Sequence, residues 1–189
     1  MKKFFLFVWE ITKVVAVSLA IILPVRYFLI QPFYVKGASM EPNFHDREYL
    51  IIDEISYRFE APKRGQVIVF RYPRDPQEYF IKRVIGLPGE EVQFKDGQIV
   101  IYNSTYPDGF VLKEDYLPAD LATYDQSGAK MAVGPNEYLV LGDNRNASKD
   151  SRSFGPVNSS FITGKVLFRG WPLNEITFFS NSYWPQYNN

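Results

Sequence analysis

The chain has no cysteine, and His45 is its one histidine in 189 residues. Without thiols there is no cysteine nucleophile, no disulfide framework and no thiolate metal site. A single imidazole excludes a multi-histidine metal centre and confines any Ser-His-Asp triad to His45. A hydrolase of this composition takes its base from Lys, Asp or Glu, and neither a metal nor a cofactor is expected. Net charge is also absent, with 21 basic residues against 21 acidic ones. The balance is uneven along the chain: residues 1–35 hold Lys2, Lys3, Lys13 and Arg26 against Glu10, so the remainder is mildly acidic. Phosphate binding needs clustered Lys and Arg, so nucleic acid is not an expected partner. What the chain does have is apolar mass. Hydrophobic residues make up 46% and aromatics 17%, enough for the core of one domain of this length.

Much of that mass comes first. The uncharged run Val14–Val25 is 12 residues, too short to span a bilayer; extended to Phe33 it reaches 20 residues with Arg26 the one charge. Arg26 can snorkel to the headgroups, and Glu10 and Lys13 can pair across three residues. Trp9 at one end, with Tyr27, Phe33 and Tyr34 at the other, suits aromatic belts. A cleavable signal peptide needs a small-x-small site where the apolar run stops. Ser18-Leu19-Ala20 has that form, yet Ile21, Ile22 and Leu23 follow it. A buried core helix would need a cover that nothing downstream supplies. The reading is one uncleaved transmembrane helix over residues 9–33 behind a cytoplasmic segment 1–8. Lys2, Lys3 and Lys13 precede it, which places everything after about residue 34 outside the membrane.

From Tyr34 onward the pattern changes to short β-rich runs. Val67–Phe70, Tyr79–Ile85, Glu137–Leu141 and Lys165–Arg169 read as strands, and Val92–Phe94 with Ile99–Tyr102 flanks the hairpin signal Asp96-Gly97. Many short strands without an amphipathic helix predict a mainly β, all-β or barrel-like domain over residues 34–179. Residues 103–133 are loop-rich and read as an insertion; residues 180–189 read as a loosely held tail.

Three segments carry candidate chemistry. Gly37-Ala38-Ser39-Met40-Glu41-Pro42 offers a serine among small residues just beyond the span, though a lone Gly-x-Ser is more often a turn. On a strand, Phe80, Lys82 and Val84 share one face, and Tyr79, Ile81, Arg83 and Ile85 the other. Arginine cannot serve as a base, whereas burial can bring a lysine from about 10.4 down to about 5–6. The alternative is that Lys82 snorkels from a strand edge. Lastly, the segment from Gly142 to Gly155 packs Asp143, Arg145, Ser148, Asp150, Ser151 and Arg152 directly after an apolar strand. It is either a solvated loop or a buried Asp–Arg network in which a serine orients the base.

Taken in order, four boxes resemble those of bacterial signal peptidase I, the membrane-anchored Ser-Lys proteases that remove signal peptides from exported proteins. They are Ser39-Met40-x-Pro42, Arg64-Gly65 before an apolar strand, Lys82-Arg83-Val84-Ile85-Gly86-Leu87-Pro88-Gly89, and Gly142-Asp143-Asn144-Arg145-x-x-Ser148-x-Asp150-Ser151-Arg152-x-x-Gly155. The resemblance implies a signal-peptidase-like antiparallel β domain, partly barrel-like, behind one N-terminal transmembrane helix. It implies Ser39 as nucleophile, Lys82 as general base and Ser148 as a hydrogen-bond partner of the lysine. Asp143, Asp150 and Arg152 would form the supporting network, with Arg145 contributing, and the Ser39 N–H would supply part of the oxyanion hole. Gly37, Ala38, Met40, Pro42, Phe80 and Ile81 would form the substrate-binding or oxyanion region. The implied partners are preprotein signal peptides with small residues before the cleavage site, and the lipid bilayer. The implied setting is a monomer in the bacterial cytoplasmic membrane, single-pass, with the catalytic domain outside.

Five positions depart from the family's usual pattern: Asn43-Phe44 stands for Thr-Leu, Gln66 for Asp, Glu90 for Asp, and Gly37 for the serine of some members. None removes a proton-transfer group. Exposed aromatics such as Phe33, Tyr34, Phe44 and Trp184 are expected to rest on lipid, and His45 is expected to be a bystander. Two other readings share parts of the pattern. A self-cleaving repressor uses Ser-Lys chemistry, but here there is a membrane anchor and no helix-turn-helix pattern. A catalytically inactive, membrane-anchored peptide-binding β domain would retain the fold and not the reaction.

Overall fold

The computed structural model describes residues 2–28, 30–125, 128–180, 183–185 and 187, with the side chains of residues 24–31 excepted. The expected placements of Arg26 and Tyr27 at the membrane boundary therefore lie outside the described residues. A helix α1 (Lys2–Phe28) leads into the strands β1 (Ile30–Tyr34), β2 (Tyr49–Asp53), β3 (Val67–Tyr72) and β4 (Asp75–Gly86). The hairpin β5 (Glu91–Lys95) and β6 (Gln98–Tyr102) follows, then β7 (Phe110–Val111), β8 (Met131–Ala132) and β9 (Glu137–Leu141). A single-turn helix α2 (Ser151–Phe154), β10 (Val157–Asn158), β11 (Ile162–Trp171) and β12 (Thr177–Phe178) complete the order.

Helix α1 follows from its composition. Within Lys2–Leu23 an 18-residue stretch has a mean hydropathy of 2.1 and none of it is buried, so by length and composition the helix can cross a membrane. The Glu10–Lys13 pair forms at 2.9 Å, as the three-residue spacing predicts. The helix ends at Phe28, and Ile30–Tyr34 is a strand laddered along β2 from Ile30↔Asp53 to Tyr34↔Tyr49. The apolar run read as one span to residue 33 thus divides: its last residues meet a strand partner, which hydrophobicity alone cannot distinguish from lipid.

The strands form two antiparallel sheets. The larger has the order β1-β2-β11-β3-β4-β9-β10, with β12 on β11; the smaller is β7-β6-β5-β8. Strand β3 shows why the large sheet is stable. Val67 and Val69 enter one apolar cluster with Met40, Phe44, Leu50 and Ile52, while Ile68 and Phe70 enter another with Val84, Val140 and Val157. Both faces are covered, so a short continuous apolar run becomes a central strand. Fully burying each such side chain is worth about 1.5–3 kcal/mol. The Asp96-Gly97 turn has φ of 52° and 77°, the left-handed pair that a two-residue hairpin requires.

The barrel-like expectation needs correcting, because the sheets do not close. The large sheet curls until Phe33 of β1 meets Tyr79 of β4 edge to face at 5.2 Å. Among the described residues no ladder joins those strands, and β4 pairs with β9 only between Arg83 and Gly86. A gap remains between β1 and β4. The insertion is also more ordered than its composition implied, since it supplies β7 and β8 to the small sheet. In the tail, Trp184 is buried against Phe179, and Tyr187 donates to the Lys113 carbonyl at 2.8 Å. Apolar contact holds these residues where sequence position suggested a loose end. Phe44 and Trp184 lie in the core, which removes both from any lipid-facing set; Tyr34 is exposed.

Candidate active site

Ser39 stands at the start of a tight turn between β1 and β2, in which the N–H groups of Asn43 and Phe44 both donate to the Met40 carbonyl. Met40 and Phe44 are buried pegs that fix the turn to the core. Gly37 has φ +90°, a conformation that suits glycine, and its N–H donates to Asp46 Oδ1 at 2.7 Å. That N–H is therefore committed, and Ser39 remains the backbone donor expected for an oxyanion.

Lys82 reaches Ser39 from β4. Its Nζ donates to Ser39 Oγ at 2.7 Å and to the Ile81 carbonyl at 2.7 Å. The residue is 3% exposed, and burial lowers its pKa from 10.5 to about 8, with Asp150 and Asp143 opposing part of the drop. Near pH 8 a substantial fraction of the amine is neutral. In that state the bond reverses, with the serine hydroxyl donating to the lysine lone pair.

The pair opens onto a cleft of ≈ 510 Å³ in the gap between β1 and β4. Val35, Leu50, Val69 and Ile81 give it apolar walls, and Lys36, Glu78 and Lys149 bring charge to it. Phe80 and Ile81 line it as expected. Gly37, Ala38 and Pro42 are exposed and outside the lining, and Met40 is in the core. His45 is exposed and also outside the lining; its nearest acid is Glu41 at 3.9 Å.

Behind the pair lies a buried polar network. Arg83, on the strand face opposite Lys82, makes two bonds to Asp143 at 2.6 and 2.8 Å and a third to the Gly65 carbonyl. Asp150 caps α2, accepts from the Gly142 N–H and binds the Arg152 guanidinium through both oxygens. Arg145 binds the Gly142 carbonyl, Thr123 and Glu114. Ser148 Oγ lies beside this loop, buried and without a hydrogen bond among the described residues, so the expected Ser148–Lys82 bond is not formed. A Cβ built on Gly142 would stand 2.1 Å from Ser148 Oγ and 2.4 Å from the Ser39 carbonyl oxygen. Only glycine permits that approach of the loop to the Ser39 turn.

The model of the signal peptidase family, peptidase S26, matches residues 8–171. The chain belongs to that family. It is 40% identical over 171 residues to a probable signal peptidase I-2 of Synechocystis sp., covering 87% of this chain and 73% of the relative. It is 34% identical over 175 residues to signal peptidase IB of Staphylococcus aureus, covering 87% and 90%. A crystal structure of a signal peptidase I from Enterococcus faecalis is 32% identical and overlaps 56% of this chain and 97% of that one, with a TM-score of 0.46.

Within this family member, the departures have structural roles. Asn43 donates to both Asp143 Oδ2 and the Tyr116 carbonyl. Gln66 is buried and accepts from Tyr57 and the Lys63 N–H. Glu90 forms a two-bond pair with Arg64 and also accepts from the Leu87 N–H. Sequence reasoning missed Asn144, whose N–H and side chain bind the carbonyls of Ser39 and Ala38. It missed Gly142 as a spacer, although that residue opens the loop box. Glu114 and Thr123 carried no local signal at all.

Proposed function

We propose that the chain removes signal peptides from membrane-inserted preproteins through a Ser39–Lys82 dyad and an acyl-enzyme. The observation that carries this reading is the 2.7 Å separation of Lys82 Nζ from Ser39 Oγ, with the amine buried and lowered to about 8. An extended substrate enters the gap between β1 and β4 and adds a strand there, so that main-chain bonds provide affinity. The apolar walls beside Ser39 suit small uncharged side chains before the scissile bond.

Neutral Lys82 takes the Ser39 proton as Oγ bonds to the carbonyl carbon. The Ser39 N–H stabilises the oxyanion; in a well-studied hydrolase one such donor contributes about 2.7–4 kcal/mol. The ammonium then protonates the departing amine as the C–N bond breaks. Lys82, neutral again, takes a proton from water as its oxygen bonds to the ester carbon; the C–Oγ bond then breaks, the Lys82 ammonium returns the proton to Ser39 Oγ, and the signal peptide leaves with a free C-terminal carboxyl. The Asp143–Arg83 and Asp150–Arg152 pairs hold the loop against Ser39, and Ser148 stands beside it as an uncommitted hydroxyl.

Helix α1 is read as the single span in the bacterial cytoplasmic membrane, with the β domain outside and the working unit a monomer. Holding enzyme and substrate in one bilayer raises their effective concentration. The test is cleavage of a model preprotein by the full chain in vesicles. Ser39→Ala and Lys82→Met should each abolish it while circular dichroism stays unchanged, and Lys82→Arg should be inactive despite keeping the charge. Full activity in any of the three would sink the dyad.

A further inference from the structure

The segment Glu114–Tyr124 reaches the catalytic elements from outside them, and its contacts are concentrated in a few residues. The Tyr116 carbonyl accepts from Asn43 Nδ2 at 3.0 Å, and the same nitrogen donates to Asp143 Oδ2 at 2.9 Å. One amide thus joins the nucleophile turn, the loop after β9 and the insertion. The Tyr116 ring covers the Arg83 guanidinium, with the charge centre 3.9 Å from the ring centroid. Arg83 follows Lys82 on β4 and is itself paired with Asp143. The Tyr116 hydroxyl donates to Glu114, and Glu114 accepts from Arg145, which also donates to Thr123 Oγ1 at 2.5 Å and to the Gly142 carbonyl at 3.1 Å. Farther along, the Tyr124 carbonyl accepts from Arg152.

The Glu114–Arg145 chain ends on the Gly142 carbonyl, at the residue where an added Cβ would meet both the Ser39 carbonyl oxygen and Ser148. Among the described residues of 103–133, none lines the substrate cleft. The segment therefore touches every element that carries a reacting group and none of the cleft walls.

We infer that Glu114–Tyr124 is a clamp that sets the distance between the loop at Gly142 and the Ser39–Lys82 pair, with Tyr116 its principal positioning residue. The inference rests on the proteolytic reading above and assigns a role to the insertion. The Tyr116 ring holds Arg83 and hence Asp143. Its carbonyl holds the nucleophile turn, and its hydroxyl orients Glu114 on Arg145. A clamp of this kind acts on the chemical step, because an ångström of displacement at the reacting atoms is costly while binding in the cleft is untouched.

Two readouts on the full chain in detergent test it: steady-state kinetics on a model preprotein and amide hydrogen exchange over residues 142–148. Tyr116→Leu should lower kcat by about 10-fold or more with KM within about 2-fold, move the acid limb of the pH profile and speed loop exchange by a similar factor. Tyr116→Phe keeps the ring over Arg83 and the carbonyl, and should recover most of kcat. Glu114→Gln should fall between them. Exchange and pH profile both unchanged in Tyr116→Leu would overturn the clamp, as would a rise in KM at constant kcat. Exchange is read without substrate. A wild-type chain that cleaved nothing would therefore refute the proteolytic reading and still leave loop exchange to decide the clamp.

Discussion

Lys82 is where burial and function meet. The displacement of its pKa from 10.5 to about 8 corresponds to roughly 3 kcal/mol of folding free energy. The sign follows from proton counting. Between pH about 8 and 10.5 the unfolded chain holds a proton on this amine that the folded chain has released, so stability rises with pH across that window. Below pH about 8 both states are protonated and the folded chain carries the full cost. Lys82→Met should accordingly be inactive yet more stable than wild type at pH 7, by ~1–3 kcal/mol after the loss of two hydrogen bonds. Urea titrations at pH 7 and pH 10 check this, and the difference should shrink at the higher pH. The same pKa sets the activity profile: kcat/KM should fall about tenfold per pH unit well below pH 8, where the neutral amine of the free enzyme becomes scarce. Gly142→Ala makes the complementary point about space. Its Cβ would overlap Ser148 Oγ and the Ser39 carbonyl, so cleavage should drop ~100-fold or more with the fold retained, as read from single-turnover rates.

At the scale of elements, the pairing of β4 with the loop after β9 is decided by the Arg83–Asp143 pair. Both side chains are at most 2% exposed. Desolvating two ions is expensive, and good geometry offsets it only while both are present. Asp143→Ala leaves a buried guanidinium without its carboxylate and should cost about 3–5 kcal/mol by chemical denaturation. The Arg64–Glu90 pair works similarly at the start of β5. Arg64 and neighbouring donors outweigh burial and hold the Glu90 carboxyl below its usual 4.5, so this contribution is present above that value and is lost as pH falls through the lowered pKa. The departures at Asn43 and Glu90 belong to the same scale, since each replaces a usual residue with one that still reaches a partner in another element.

For the whole molecule, the junction of α1 and β1 determines how the anchor can be removed. Strand β1 pairs with β2 over five positions and its Phe33 lines the cleft. A chain starting at residue 29 should fold and cleave a short peptide, yet lose activity toward membrane-inserted preprotein because the shared bilayer no longer concentrates it. A chain starting at residue 35 lacks β1 and should be unstable, with thermal melting distinguishing the two. Much of this molecule was legible in order: the apolar N-terminus, the strand periods around Phe70 and Val84, the hairpin at Asp96-Gly97, and the boxes holding Ser39, Lys82, Asp143 and Asp150. The first three are local patterns, fixed by side-chain period and turn chemistry; the boxes were legible through their resemblance to one family. Where the span ends and β1 begins was not legible, because lipid and a strand partner favour the same apolar residues. Nor was the attachment of Glu114 and Tyr116 to the loop at Gly142; the closeness of Ser39 and Lys82, 43 positions apart in the chain, was implied by the family resemblance and by no local pattern. Contacts at such separations depend on how sheets curl and pack, and the desolvation that lowers the Lys82 pKa exists only once they have done so.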